Sequence, residues 1–170
     1  MTFNKQNLEI ISPKSQLRLY GYEKYFSSFI KIYKTHKLPN AILLSGPKGL
    51  GKSTFAYHFI NYLLSEDDND GYSLRNFTIN QDNQTFVNIQ NNTHPNFFVL
   101  ENELLDGVIK IDQVRSLIKF LNKSTYSKNI KIVLIDNAEK LNTNSSNALL
   151  KSLEEHLKNN FFFIIFNNFL

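Results

Sequence analysis

Gly46-Pro47-Lys48-Gly49-Leu50-Gly51-Lys52-Ser53, continued by Thr54, is the stretch that decides how this chain folds. It fits the pattern G-x-x-x-x-G-K-[ST] without a mismatch. Each letter answers a physical demand. Glycines accept backbone conformations that a side chain forbids, so successive N–H groups can converge on phosphate oxygens. A helix beginning near Lys52 adds its positive dipole end and its free N–H groups. The Lys52 ammonium supplies a point charge for β- and γ-phosphates, and the Ser53 hydroxyl is a ligand for Mg²⁺. Residues 46–54 are therefore expected to bind a nucleoside triphosphate, ATP before others, together with Mg²⁺.

The flanks supply the context such a loop needs. Residues 41–45, Ala-Ile-Leu-Leu-Ser, form a short apolar run that reads as a strand buried on both faces. Residues 52–64 read as a helix burying Phe55, Phe59 and Leu63 along one stripe. Further out, Phe26, Phe29, Ile30 and Tyr33 have helical spacing within residues 22–36, and Pro39 and Asn40 stop that helix. Downstream, residues 97–100 and 131–136 read as strands. Between them lies a helix capped by Asp112, with Val114, Leu117, Ile118 and Leu121 on one face. Residues 143–156 form a further helix with Ala148, Leu149, Leu153 and His156 inward, and residues 161–166 a last strand.

Strands alternating with helices predict an α/β fold, a P-loop NTPase with a parallel sheet covered by helices on both faces. Residues 1–170 are expected to form a single domain. Residues 65–92 differ in character, being polar, rich in Asn and marked by Asp67-Asp68-Asn69-Asp70. They read as a surface loop or small insertion. The acids lack the Gly and Glu spacing of a calcium loop, so a solvated loop is the better reading.

Asp136 ends the apolar run 131–135, where a second NTPase signature places its carboxylate beside the phosphate loop and toward Mg²⁺. Many ATPases of this build carry Glu in the next position. Here it is Asn137, which can orient a water but cannot take its proton. Glu139 is the other nearby carboxylate, at a spacing that does not secure its reach. Binding is thus supported and turnover is left open. Asn167 and Asn168 follow the last strand; an amide there suits sensing of a γ-phosphate, and a plain strand-end turn is the competing reading.

Composition bounds the alternatives. With 42% hydrophobic and 20% charged residues, the chain reads as globular rather than disordered. The absence of Cys excludes disulfides, a thiol nucleophile and thiolate metal sites. The polar residues 1–7 do not resemble a signal peptide, and 161–166 is too short to span a bilayer, so a cytoplasmic protein with no membrane contact is expected. The four His residues lack ligand spacing. A net charge of +4 permits a phosphate-bearing partner without requiring one. Lys119, Lys123, Lys128 and Lys131 form a loose basic patch, read first as a solvated face and only second as a DNA contact. A nucleotide kinase would need a lid with arginines, and Arg18, Arg75 and Arg115 do not cluster near the loop.

Four further blocks follow the phosphate loop in order: His94-Pro-Asn-Phe-Phe-Val-Leu100, Ile111-Asp-Gln-Val-Arg115, Asp136-Asn-Ala-Glu-Lys-Leu141, and Asn147-Ala-Leu-Leu-Lys-Ser-Leu-Glu-Glu155. Together they resemble the clamp-loader subunits of bacterial DNA polymerase III, the delta-prime type in particular, within the AAA+ superfamily. The resemblance runs over residues 17–168, and the last block is its most specific part. It implies an AAA+ base domain in a ring-shaped complex that loads the sliding clamp onto primed DNA, with gamma/tau and delta subunits as partners.

By the same resemblance, Lys52 and Ser53 meet the nucleotide and Mg²⁺, Asp136 is the Walker B acid, Asn167 is the sensor, and Tyr20 and Tyr22 lie near the adenine. Without Cys the chain cannot carry the four-cysteine zinc module of the gamma type, which favours delta-prime and implies no zinc. Delta-prime members often have a decayed loop and act as non-hydrolysing stators; here the loop is intact, and the stator stands as the alternative. Leu153-Glu-Glu-His-Leu157 departs from the family's L-E-E-P-P. The last core strand, the arginine finger, the lid and the collar are expected beyond Leu170.

Overall fold

The computed structural model describes residues 11–102, 107–125, 130–156 and 160–167. The elements run α1 (Glu23–Lys34), β1 (Ala41–Ser45), α2 (Lys52–Leu64), α3 (Gln84–Gln90), β2 (Phe97–Leu100), α4 (Ile111–Leu121), β3 (Lys131–Ile135), α5 (Thr143–His156) and β4 (Asn160–Phe166). A 3-10 turn, Ala138–Lys140, follows β3. The strands make one parallel sheet in the order β1-β4-β3-β2. This is the α/β architecture of a P-loop NTPase base domain.

Period-2 alternation divides the sheet between two cores. On β3, Ile132 and Leu134 face α1 and α2, whereas Val133 and Ile135 face α4 and α5. On β4, Phe163 and Ile165 join the first core and Phe162 the second. Both strands are sandwiched between helices, which accounts for their unbroken apolar runs.

β1 departs from its expected burial. It lies at the sheet edge, paired with β4 alone among the described residues, and Leu43 is 60% exposed. An edge strand has a neighbour on one side only, and apolarity by itself does not reveal sheet position. The helix α2 departs in the opposite sense. Instead of a single stripe, everything from Phe55 to Leu64 is buried. α1 covers one side of it and residues 65–92 cover another.

That covering segment is more than a loop. It contains α3, capped by Asn83, whose side chain accepts from the Phe86 N–H at 3.2 Å. Asp68 accepts from Asn83 at 3.0 Å and from Thr85 at 2.8 Å, and Asp70 accepts from Asn83 at 3.1 Å. The acids therefore tie the segment together by hydrogen bonds. Gly71 allows the close return, because a Cβ there would lie 2.3 Å from the Ser65 carbonyl oxygen.

Two more expectations are corrected. α4 starts two residues earlier than an Asp112 cap requires: Lys110 is the cap, its N–H donating to Gln113 at 2.9 Å. Asp112 sits in the first turn and pairs with Arg115 at 2.8 Å. Lys131 leaves the proposed basic patch. It is 2% exposed and donates to the carbonyls of Phe120, Leu121 and Lys123, neutralising the C-terminal end of α4. Lys128 and Asn168 lie outside the described residues, as does the side chain of His156.

His58 shows how the N-terminal segment is tethered. Its Nε2–H donates to the Gln16 carbonyl at 3.0 Å, and the Tyr72 hydroxyl donates to Nδ1 at 3.0 Å. Burial lowers its pKa from 6.5 to about 4. Between those values the unfolded chain binds the proton and the folded chain does not. Stability is therefore complete above the unfolded value and is lost as pH falls toward the folded one. Acidification from about pH 7 to about pH 5 is expected to cost about 2 kcal/mol through this group alone. Urea-unfolding midpoints at the two pH values measure it, and His58→Gln should flatten the dependence.

Candidate nucleotide-binding site

The loop 46–51 joins the C-terminal end of β1 to the start of α2. Gly51 is the N-cap of α2 at φ +79°, a left-handed conformation that other residues rarely adopt. The turn exposes Lys48, Gly49 and Leu50 and folds Lys52 back beneath them. The Lys52 ammonium donates to the carbonyls of Gly46 at 2.8 Å and Pro47 at 2.6 Å, and the residue is 9% exposed. Its charge is thereby fixed at the inner side of the loop.

Ser53, one position further along α2, faces the end of β3. Its hydroxyl donates to the Asp136 carboxylate, with oxygens at 3.2 and 3.3 Å. Burial raises the Asp136 pKa, while the Asn137 N–H, the Ser53 hydroxyl and Lys52 pull it back down; Glu139 pushes it up. A hydroxyl and a carboxylate this close are the hard oxygen donors that Mg²⁺ prefers. By its donor set the pair fits that ion.

Beside the loop lies a cavity of about 430 Å³ lined by Gln16, Arg18, Tyr20, Tyr22, Leu50 and Thr54, among others. The Tyr22 hydroxyl donates to the Leu50 carbonyl. Arg18 stacks over the Tyr20 ring at 5.1 Å. Its aromatic faces, beside the loop, are surfaces on which a flat heterocycle can stack.

At the ends of β3 and β4 the remaining candidates meet. Asn167 donates through Nδ2 to Asn137 Oδ1 at 2.8 Å, and its backbone N–H donates to Glu139 Oε2 at 3.1 Å. Glu139 is thus directed at β4 rather than left free beside Asp136. Residue spacing overlooked two neighbours. Tyr22 holds the loop through Leu50, and Glu101 follows Leu100, the register partner of Ile135, which brings it beside Asp136. Burial raises the Glu101 pKa, Lys14 lowers it and Asp136 raises it further. Neither has a local sequence signal, since both depend on strands or segments far apart in the chain.

A family model described as DNA polymerase III, delta subunit, matches residues 21–169. The chain belongs to this family. Within it, the chain is 38% identical to DNA polymerase III subunit delta′ of Pseudomonas aeruginosa over 116 residues, covering 68% of this chain and 34% of that one. It is 30% identical to the Buchnera aphidicola delta′ subunit over 147 residues, covering 86% and 43% respectively. For the Escherichia coli delta′ subunit the figures are 27% over 139 residues, covering 82% and 40%. This member of the DNA polymerase III delta family spans less than half the length of those relatives. A solved Thermotoga maritima protein related to the DNA polymerase III gamma subunit shares its fold, with TM-score 0.50 at 16% identity over 81% of this chain and 38% of that one.

Proposed function

We propose that this chain is the nucleotide-binding base domain of a delta-prime-type clamp-loader subunit of DNA polymerase III. In this reading it holds Mg²⁺-ATP and acts with gamma/tau and delta subunits to help load the sliding clamp onto primed DNA in the cytoplasm. Family membership supports the assignment to DNA polymerase III. The observation that carries the nucleotide reading is the convergence of Lys52, Ser53 and Asp136 on one end of the sheet. Parallel α/β sheets bind ligands at the carboxyl ends of their strands, and these residues stand there.

The roles follow from the side chains. N–H groups of residues 46–54 and the start of α2 would hold phosphate oxygens. Lys52 would neutralise phosphate charge, and Tyr20 and Tyr22 would border the base. Ser53 and Asp136 would hold Mg²⁺, which when bound supplies charge neutralisation between the phosphates. Among the described residues no helix is long and apolar enough to cross a membrane.

The test is a titration of the purified chain with a fluorescent ATP analogue, with and without Mg²⁺. Tighter binding with Mg²⁺ is expected, and Ser53→Ala should remove about a tenfold share of that gain by deleting one oxygen donor. Absence of binding by the unaltered chain would sink the nucleotide reading. Gel filtration with gamma and delta subunits tests the assembly, with co-elution the expected result.

A further inference from the structure

Asn137 and Glu139 take no part in the phosphate and Mg²⁺ contacts assigned above, yet both reach across to the end of β4. Asn137 adopts a left-handed backbone at φ +56°, which asparagine tolerates better than most residues. From there its Oδ1 accepts from Asn167 Nδ2 at 2.8 Å, while Glu139 Oε2 accepts from the Asn167 backbone N–H at 3.1 Å. The same end of β4 adjoins the phosphate loop, because the Gly46 N–H donates to the Phe166 carbonyl at 3.3 Å. Asn167 is therefore held by two acceptors at a point between the loop and Asp136.

Resting on the nucleotide reading above, we infer that Glu139 is a positioning residue. With Asn137 it fixes the Asn167 amide so that the site distinguishes a triphosphate from a diphosphate. A carboxamide nitrogen carries two N–H donors. Asn137 takes one, and the other donates to a terminal phosphate oxygen that a diphosphate lacks. Glu139 serves this task through an acceptor oxygen placed on the Asn167 main-chain N–H.

Competition titrations of the full chain with ATP, a non-hydrolysable ATP analogue and ADP test this. The unaltered chain should prefer the triphosphates. Glu139→Ala should shrink that preference about fivefold or more, with ADP affinity held within about twofold. Glu139→Gln, which keeps an acceptor oxygen, should retain most of the preference. Asn137→Gly, which suits the left-handed backbone and deletes the other acceptor, should reproduce the loss by an independent route and serves if Glu139→Ala does not fold. Three results would overturn the inference while leaving nucleotide binding intact: no preference in the unaltered chain, an unchanged preference in the variants, or an equal fall for ATP and ADP. If the unaltered chain binds no nucleotide, the site reading fails and this inference fails with it.

Discussion

Lys52→Ala is expected to weaken binding of an ATP analogue about a hundredfold, to the edge of detection, since it deletes a charge-assisted contact to two phosphates. The size of the effect comes from geometry. The ammonium is already held by the Gly46 and Pro47 carbonyls, so little ordering remains to oppose a bound anion. Lys52→Arg should not restore binding, because a planar guanidinium cannot satisfy those two carbonyls in the space of a compact ammonium. Isothermal titration of each variant measures the loss. A melting temperature near that of the unaltered chain would show that the loop, rather than the fold, has been altered. Retention of affinity within about threefold in Lys52→Ala would mean that the charge is not used on phosphate.

The largest expected effect on stability is at Phe26. Its ring is fully buried and packs against Phe55 at 5.8 Å, Phe59 at 5.4 Å, Tyr62 at 6.1 Å, Tyr72 at 5.1 Å and Phe77 at 5.9 Å. These partners come from α2 and from the segment that follows it, so one side chain joins α1 to both. Phe26→Ala is expected to cost about 3–5 kcal/mol, from lost transfer energy plus the cavity left behind. Against a typical total of about 5–15 kcal/mol, that is enough to leave much of the chain unfolded near body temperature. Urea denaturation followed by circular dichroism reads the change. Phe26→Leu, which refills part of the volume, should recover a share of it. A cost below about 1 kcal/mol would show that the aromatic cluster can close over the gap.

Much of the fold was legible because its signals are local. The loop motif, the apolar runs of β1, β3 and β4, and the helical spacing in α1, α4 and α5 each occupy a few consecutive residues. Element bounds at β1, β2, α2 and α5 therefore agree between sequence and structure. The errors lie where a neighbour distant in the chain decides the outcome. Leu43 is apolar but exposed, because burial of β1 depends on which strands flank it. Lys131 looks like a surface charge and is buried, because the end of α4 offers carbonyls that it can cap.

The candidate site divides along the same line. By itself, the sequence determined a phosphate loop opening a helix, an acid at the end of an apolar strand, and a succession of blocks resembling a DNA polymerase III clamp-loader subunit. These are properties of short segments, governed by backbone freedom, dipoles and periodicity. Only the tertiary structure decided that Ser53 meets Asp136, that Tyr22 reaches Leu50, and that Asn137 and Glu139 both turn to Asn167. Those contacts join residues 28 to 83 positions apart. Parallel pairing sets β4 between β1 and β3 and so brings the three strand ends into register, which no single segment of the chain can encode.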